Sequence, residues 1–111
     1  MSTLQNGILE RLGQVIAERR ARPSPESYVC ALLADRERLE AKLREELEEL
    51  IEAAGTTDSA HVAHEAADLL FHVWVLLGAV ELPAARVYAE LERRFGTGGF
   101  AEKAARGEPD A

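Results

Sequence analysis

Apolar residues recur along this chain at the three- and four-residue spacing of amphipathic α-helices. No segment alternates apolar and polar residues with the period of two that a β-strand shows. The first stripe follows possible N-cap residues at Ser2 and Thr3 and consists of Leu4, Ile8, Leu12 and Val15. The pattern predicts an all-α protein in which this stripe of the first helix faces the core.

Proline and capping residues predict where the next two helices begin. The first helix is expected to end in the segment 21–25, which contains two prolines. Ser24 and Pro25 suit the N-cap and the first position of a short second helix over about 25–34. A longer third helix is expected over about 35–54, with a core stripe formed by Leu39, Leu43, Leu47, Leu50 and Ala54.

Two more helices complete the predicted bundle. Gly55 suits a helix C-cap, and the polar residues after it suit the N-cap of a fourth helix over about 59–80. Pro83 opens a fifth helix, whose apolar face consists of Val87, Leu91 and Phe95. We therefore predict one all-α domain over residues 1–95, an antiparallel bundle of about five helices, followed by a flexible, glycine-containing tail over 96–111.

Composition narrows the functional classes. The chain has 111 residues, of which 47% are hydrophobic and 30% charged, as in globular proteins. Its single cysteine, Cys30, excludes an intrachain disulfide and a zinc site built from cysteines. The net charge of −7 argues against nucleic-acid binding, which needs a basic surface.

Neither a signal peptide nor a membrane span is expected. The first ten residues lack the basic and apolar regions of a signal peptide. The longest apolar run, 66–80, contains Asp68 and His72, whereas a membrane span needs about 20 nearly uncharged residues. We therefore expect a soluble, cytoplasmic protein that does not contact a membrane.

The acidic residues of the third helix do not all point the same way. At about 100° per residue, Glu46 lies at the edge of the core stripe, with Lys42 and Glu49 beside it. Glu48 and Glu52 face away, as is typical of a solvated surface. Because a glutamate-rich helix is usually a solvated face with ion pairs between neighbours, these residues alone do not define a site.

The fourth helix is apolar on nearly every side but carries one narrow polar stripe. The stripe consists of His61, Glu65, Asp68 and His72. Burying an unpaired carboxylate costs several kcal/mol, so Glu65 and Asp68 need a compensating partner. A basic side chain from a neighbouring helix, such as Arg19 or Lys42, is one candidate for that partner.

A metal ion between the two helices is the other candidate. Glu46 and Glu49 form a pair one turn apart, as do Glu65 and Asp68, and the short connection predicts antiparallel packing of the two helices. Four converging carboxylates repel one another without a cation, and oxygen ligands favour Mg²⁺ or Mn²⁺ over zinc. A diiron site is disfavoured because neither inward glutamate is followed by a histidine three residues later.

The order of these residues resembles the all-α nucleoside triphosphate pyrophosphohydrolases, or MazG-like superfamily. The matching motif reads Lys42-x-x-Glu45-Glu46-x-x-Glu49 and, after fifteen intervening residues, Glu65-x-x-Asp68. Within the superfamily the chain resembles the phosphoribosyl-ATP pyrophosphatases, through Ser27-Tyr28, the run 65–72 and the tail segment 96–106. It departs from them where Arg44 replaces a common glycine, where a glycine between the second and third helices is missing, and where Gly98 replaces a common serine.

The resemblance implies an activity and a set of site residues. The activity is hydrolysis of phosphoribosyl-ATP to phosphoribosyl-AMP and pyrophosphate, the second step of histidine biosynthesis. The expected cofactor is Mg²⁺, with Mn²⁺ as a substitute, bound by Glu46, Glu49, Glu65 and Asp68. The expected catalytic residues are Glu45, Glu46 and Glu49. Substrate binding is expected to involve Arg19, Tyr28, Lys42, His72, Lys103 and Arg106.

Further expectations concern the histidines, the tail and the oligomer. His72 is expected to support Asp68 by hydrogen bonding rather than to bind the metal, and His61 and His64 to lie at the surface. The basic tail is expected to close over the substrate. A homodimer is expected because the fourth helix has more apolar surface than one small bundle can cover, including Phe71, Trp74 and Val75. The family resemblance also implies dimers.

Two other functions are compatible with the sequence. One is a house-cleaning pyrophosphohydrolase that acts on free nucleoside triphosphates with the same metal site and a different base pocket. The other is a noncatalytic helical dimerisation module whose acidic residues only pair with arginine and lysine. Binding of Mg²⁺ separates the module from the enzymes, and a hydrolysis assay on both kinds of substrate separates the two enzymes.

Overall fold

Five α-helices account for most of the chain that the structure describes. The structure, a computed structural model, describes the backbone of residues 3–96 and the side chains of residues 7–95. The helices are α1 (Thr3–Ala21), α2 (Tyr28–Ala34), α3 (Arg36–Ala54), α4 (Ser59–Ala79) and α5 (Ala84–Gly96). Within the described residues there is no β-strand, and the predicted all-α helical bundle is confirmed.

Capping side chains set the starts of the three middle helices. The Asp35 and Asp58 carboxylates each accept a hydrogen bond from a backbone N–H in the first turn of α3 and α4, at 3.1 Å. The Ser27 hydroxyl does the same for α2, at 3.2 Å from the nitrogen of Cys30. The predicted start of this helix at Pro25 is therefore wrong, because Ser27 and not Ser24 is its N-cap.

The core surrounds α4, which packs against α1, α2 and α3. Fully buried apolar side chains come from all four of these helices, namely Ile16, Leu32, Leu39 and Val75. The Trp74 indole donates a hydrogen bond to the carbonyl oxygen of Leu9 at 3.0 Å and so fixes α4 against α1. Gly78 allows the closest approach, since a Cβ atom there would lie 2.4 Å from a methyl carbon of Ile16.

The face of α1 that packs on the core differs from the predicted one by one position. Ile16 is fully buried, whereas Val15 is 42% exposed and Ile8 is also exposed. Leu12 of the predicted stripe does pack against the core, together with Leu9. The prediction failed because apolar residues occupy two adjacent stripes of this helix, and spacing alone does not say which one faces inward.

The buried stripe of α3 passes through an acidic residue. Its three buried residues are Leu39, Glu46 and Ala53, which follow at intervals of seven. Leu47, predicted as core, is 46% exposed, and Ala54 is exposed while Ala53 is buried. A buried carboxylate, Glu46, therefore lies between two apolar residues on the inward stripe of this helix.

Helix α4 meets the length and composition criteria for a membrane span. Those criteria are also met by the central helix of a bundle. Glu65 and His72 of α4 are buried against neighbouring helices, and α4 contacts three of them. We interpret α4 as the core helix of the bundle.

Candidate functional site

Three carboxylates of α3 lie close together. Glu45, Glu46 and Glu49 can each place one oxygen within 4.8 Å of the others. Glu46 is only 5% exposed, Glu49 is half-buried and Glu45 is exposed. Their neighbour Lys42 has its Nζ atom 3.2 Å from Glu46 Oε1 and 3.5 Å from Glu45 Oε1. The hydrogen bond to Glu46 raises the pKa of Lys42, so this side chain is a firmly charged ammonium at the edge of the cluster.

A second group of potential ligands lies on α4. His64, Glu65 and Asp68 can also bring one ligand atom each within 4.8 Å of the others. Glu65 is buried, at 6% exposure, and Asp68 is half-buried. His64 Nε2 lies 3.3 Å from Asp68 Oδ2, one helical turn away. The two predicted carboxylate pairs are thus each part of a compact group.

The two groups meet across the interface of α3 and α4. A hydrogen bond between the Glu49 and Glu65 carboxyl groups is the main reason why the pKa of Glu49 is raised, with burial and the charge of Glu65 adding to it. The two residues are almost equally far from the four-residue connection 55–58, as antiparallel neighbours must be. Two carboxylates can share such a contact only with a proton or a cation between them.

Buried oxygen atoms without partners show where a cation fits. Glu46 Oε2 and Glu65 Oε2 are both buried and have no hydrogen-bond partner among the described residues. Leaving a buried acceptor unsatisfied costs about 1–3 kcal/mol, and more when it is charged. A hard divalent ion bound by carboxylate oxygens would supply a partner for such an atom and offset the repulsion between neighbouring carboxylates. The residues present therefore fit a divalent metal.

Tyr28 and His72 hold each other in place beside the α4 group. His72 Nδ1 lies 2.7 Å from the Asp68 carbonyl oxygen, and Nε2 lies 2.9 Å from the Tyr28 hydroxyl. Because a carbonyl only accepts, Nδ1 donates to it, and in the neutral imidazole Nε2 is then the acceptor for the Tyr28 hydroxyl. The Tyr28 ring also stacks on Phe71, with centroids 6.2 Å apart. Both residues were predicted as substrate contacts, and this arrangement leaves that prediction untested.

The remaining predicted substrate residues lie elsewhere. The guanidinium of Arg19 is 3.8 Å from Glu18, and its carbonyl oxygen accepts a hydrogen bond from the Cys30 thiol, so Arg19 lies at the junction of α1 and α2. Lys103 and Arg106 lie outside the described residues. Their roles stay predictions.

Two residues that contact predicted site residues were not themselves among the predicted ones. His64 is exposed, as predicted, yet it contacts Asp68. The four-residue spacing between them was the signal that could have found it. Arg38 lies with its guanidinium carbon 5.6 Å from the centroid of the Tyr28 ring. No sequence rule pairs a residue of α3 with an aromatic ring of α2, because that contact depends on tertiary packing.

A cleft of about 330 Å³ lies away from the carboxylates. It is enclosed by α1, the end of α4 and the start of α5, and its lining is mainly apolar. The Arg20–Glu81 ion pair, 2.9 Å long, joins two of its lining residues. None of the carboxylates of the two potential ligand groups lines this cleft. We therefore place the candidate site at the α3–α4 interface and not in the cleft.

An all-α bundle with acidic groups from two adjacent helices is the class of structure that the resemblance to pyrophosphohydrolases led us to expect. Comparison with known proteins identifies the family. The family model of phosphoribosyl-ATP pyrophosphohydrolase matches residues 9–95, and the chain belongs to this family.

Relatives named phosphoribosyl-ATP pyrophosphatase match nearly the whole chain. The protein of Rhizorhabdus wittichii is 50% identical over 101 residues, which are 90% of this chain and 95% of the relative. That of Parvibaculum lavamentivorans is 48% identical over 101 residues, 90% of this chain and 93% of the relative. That of Geotalea daltonii is 39% identical over 104 residues, 93% of this chain and 98% of the relative. The predicted family resemblance is confirmed.

Proposed function

We propose that this protein hydrolyses phosphoribosyl-ATP to phosphoribosyl-AMP and pyrophosphate, the second step of histidine biosynthesis, in the cytoplasm. The observation that carries the proposal is the meeting of carboxylates from α3 and α4 in a chain of this family. The named activity of the relatives supplies the substrate.

Mg²⁺, with Mn²⁺ as a substitute, is the metal we propose for the site. Glu46, Glu49, Glu65 and Asp68 would hold it, and their oxygen atoms match the preference of these ions. Bound there, the metal would neutralise charge on the triphosphate and help to activate water. The Glu49–Glu65 contact supports this proposal, because without a cation it needs a proton to hold it together.

The side chains around the ligands have separate tasks. Glu45 is the exposed member of the α3 group, so it is the carboxylate best placed to accept a proton from the attacking water or to orient Glu46. The Lys42 ammonium has three N–H donors, so it can donate a hydrogen bond to a phosphate oxygen while it stays paired with Glu46. Through its bond to the Asp68 carbonyl, His72 fixes the turn of α4 that carries this ligand.

Hydrolysis assays with two substrates test the proposed function. With Mg²⁺ present, the purified protein is expected to release pyrophosphate from phosphoribosyl-ATP with a much higher kcat/KM than from ATP. Equal values would favour a house-cleaning enzyme for free nucleotides. Binding of Mg²⁺ without hydrolysis of either substrate would contradict both enzymatic functions.

We also propose that the protein is a homodimer, on different residues from those first expected. Trp74 and Val75 are buried in the core of the chain itself and cannot contribute an interface. Exposed apolar side chains do occur on two other helices. On the outer side of α3, Leu47 and Ile51 are one turn apart, and on α5 the Phe95 side chain is 86% exposed. Apolar surface of this kind is typical of an interface.

Light scattering tests the dimer. At micromolar concentration the expected mass is twice the 12.2 kDa of one chain. Ile51→Glu is expected to shift the mass toward one chain, because it places a charge in the interface, while circular dichroism still reports a helical fold. Glu48→Gln, an exposed position on the same helix, serves as the control. A wild-type mass of 12.2 kDa would refute the proposal.

The tail over 96–111 is proposed to close over the substrate. It carries Lys103 and Arg106 on a chain with a net charge of −7, and a polyanionic substrate needs cations beside the metal. Removal of residues 96–111 takes away both cations and is expected to lower kcat/KM for phosphoribosyl-ATP by about tenfold or more, while Mg²⁺ affinity stays nearly unchanged. Undiminished hydrolysis by the shortened protein would show that the tail has no such role.

A further inference from the structure

Arg38 is a cation that its own helix leaves without an acidic partner. The four basic residues of α3 are all described, and Arg36 and Arg44 contact Glu40 at 3.3 and 3.9 Å. Lys42 contacts Glu45 and Glu46. Among the described residues, no carboxylate lies within ion-pair distance of the Arg38 guanidinium, although its helix is rich in glutamate. Its hydrogen-bond donors are therefore available to an anion from outside the chain.

An aromatic platform holds the Arg38 guanidinium. Its carbon atom lies 5.6 Å from the Tyr28 ring centroid, within the range of a cation–π contact. The ring is itself fixed, because the Tyr28 hydroxyl bonds to the buried His72 and the ring stacks on Phe71. A guanidinium held over an aromatic face still has the N–H groups at its edge free to donate hydrogen bonds to a ligand.

The position of Arg38 relates it to the metal site. Arg38, Lys42 and Glu46 follow at intervals of four and therefore lie along one side of α3. Arg38 is two turns, or about 12 Å along the axis, from the most buried carboxylate. Along this side of α3 the unpaired Arg38 comes first, the paired Lys42 follows, and the acidic cluster comes last. A ligand with two separated anionic groups fits this order, with one group at Arg38 and the other at the metal bound by the cluster.

We propose that Arg38 binds a phosphate group of the substrate, apart from the phosphates at the carboxylate cluster. The inference rests on the proposed function and adds a substrate-binding residue to it. Arginine binds phosphate through paired N–H···O bonds, which no neighbouring side chain now competes for. Two groups supply this chemistry: the terminal phosphate of the triphosphate and the phosphate of the phosphoribosyl group.

Kinetics of three variants test the role of Arg38. Arg38→Ala and Arg38→Met remove the charge, and the methionine keeps an apolar stem against Tyr28. Both are expected to raise KM for phosphoribosyl-ATP about tenfold or more with kcat nearly unchanged, because the lost contact binds substrate and transition state alike. Arg36→Ala removes the same charge from the same end of α3 and is expected to change KM less than twofold.

Equilibrium binding in Mg²⁺ identifies the phosphate. Phosphoribosyl-AMP keeps the phosphoribosyl phosphate but lacks the two outer phosphates of the triphosphate. The analogue α,β-methylene-ATP has a triphosphate chain that resists cleavage and lacks the phosphoribosyl group. If Arg38 binds the phosphoribosyl phosphate, the Arg38 variants bind phosphoribosyl-AMP about tenfold more weakly and the ATP analogue normally. If it binds the terminal phosphate, the two results are exchanged. Either outcome supports the proposal.

Three results would overturn it. The first is that the Arg38 variants bind both ligands with the same affinity as Arg36→Ala. Another is an equal loss for both ligands, which marks a general charge effect. The third is a fall in kcat together with a lower melting temperature, which marks a structural role through Tyr28. Failure of the wild-type protein to hydrolyse phosphoribosyl-ATP would refute the proposed function alone, because the binding comparison does not need turnover.

Discussion

Glu49→Gln and Asp68→Asn are each expected to lower pyrophosphate release by about 10²–10³-fold while the fold is kept. Both substitutions remove a charged oxygen from the site at which α3 and α4 meet, and a bound metal ion contributes several kcal/mol to the stabilisation of charge in the transition state. The amide is nearly the same size as the carboxyl group, so packing changes little. Steady-state kinetics with phosphoribosyl-ATP would measure the loss.

Glu48→Gln is the matched control for these variants. Glu48 is adjacent to Glu49 in sequence but exposed, and about 100° of rotation separates the two side chains. Its substitution is expected to change activity less than twofold. Without metal, Glu49→Gln is expected to melt no lower than wild type, because the amide can still donate a hydrogen bond to Glu65 while the repulsion between two carboxylates is removed. Similar losses of activity in all three variants would show that α3 presents a different face to the site.

Removal of divalent metal is expected to abolish activity completely and reversibly. Excess EDTA should stop pyrophosphate release, and a surplus of Mg²⁺ or Mn²⁺ should restore it, because the substrate and the cluster are both strongly anionic. Mg²⁺ should also raise the melting temperature. At a free concentration of 100 times Kd, binding adds about 2.7 kcal/mol to the free energy of unfolding.

The same metal titration separates binding from catalysis. Asp68→Asn is expected to gain little stability from Mg²⁺, whereas Glu45→Gln should keep most of the gain if Glu45 acts on the water and does not bind the metal. Full activity of the wild-type protein in excess EDTA would contradict the metal-dependent mechanism.

Sequence patterns were sufficient for the number of helices and for most of their boundaries. The cap residues Asp35 and Asp58 define the starts of α3 and α4 by local hydrogen bonds, which sequence rules describe well. The start of α2 was harder, because Ser24 and Ser27 are both good caps in isolation. Packing of α2 on α4, through Tyr28 and His72, is compatible with the later start.

The inward faces of α1 and α3 were less predictable. Hydrophobic periodicity assigned Val15 and Leu47 to the core, but both are exposed; Ile16 is buried in α1 instead, and in α3 the buried stripe passes through Glu46, which the sequence placed only at its edge. Periodicity assumes that apolar residues define the buried face. It fails for α1, because apolar residues occupy more of that helix than the core covers. It also fails for α3, because one of the buried positions is occupied by a carboxylate.

The carboxylates of the candidate site were predicted from two independent constraints that agreed. Glu65 and Asp68 were conspicuous as acidic residues on an apolar helix, and a short connection placed them opposite the acidic side of α3. His64 had only the weak signal of its four-residue spacing from Asp68, on an exposed position of α4. Arg38 had none, because it is exposed on a charged helix and its contact with Tyr28 depends on the packing of α2 and α3.

A direct test of the central claim is an anomalous difference map from crystals grown with Mn²⁺. We expect a peak between the carboxylates of Glu46, Glu49, Glu65 and Asp68, with both buried oxygen atoms of Glu46 and Glu65 facing it. The peak should disappear in crystals of Glu49→Gln grown in the same way. A peak held only by His64 and Asp68 at the exposed edge of α4, or no peak at the α3–α4 interface, would contradict the account.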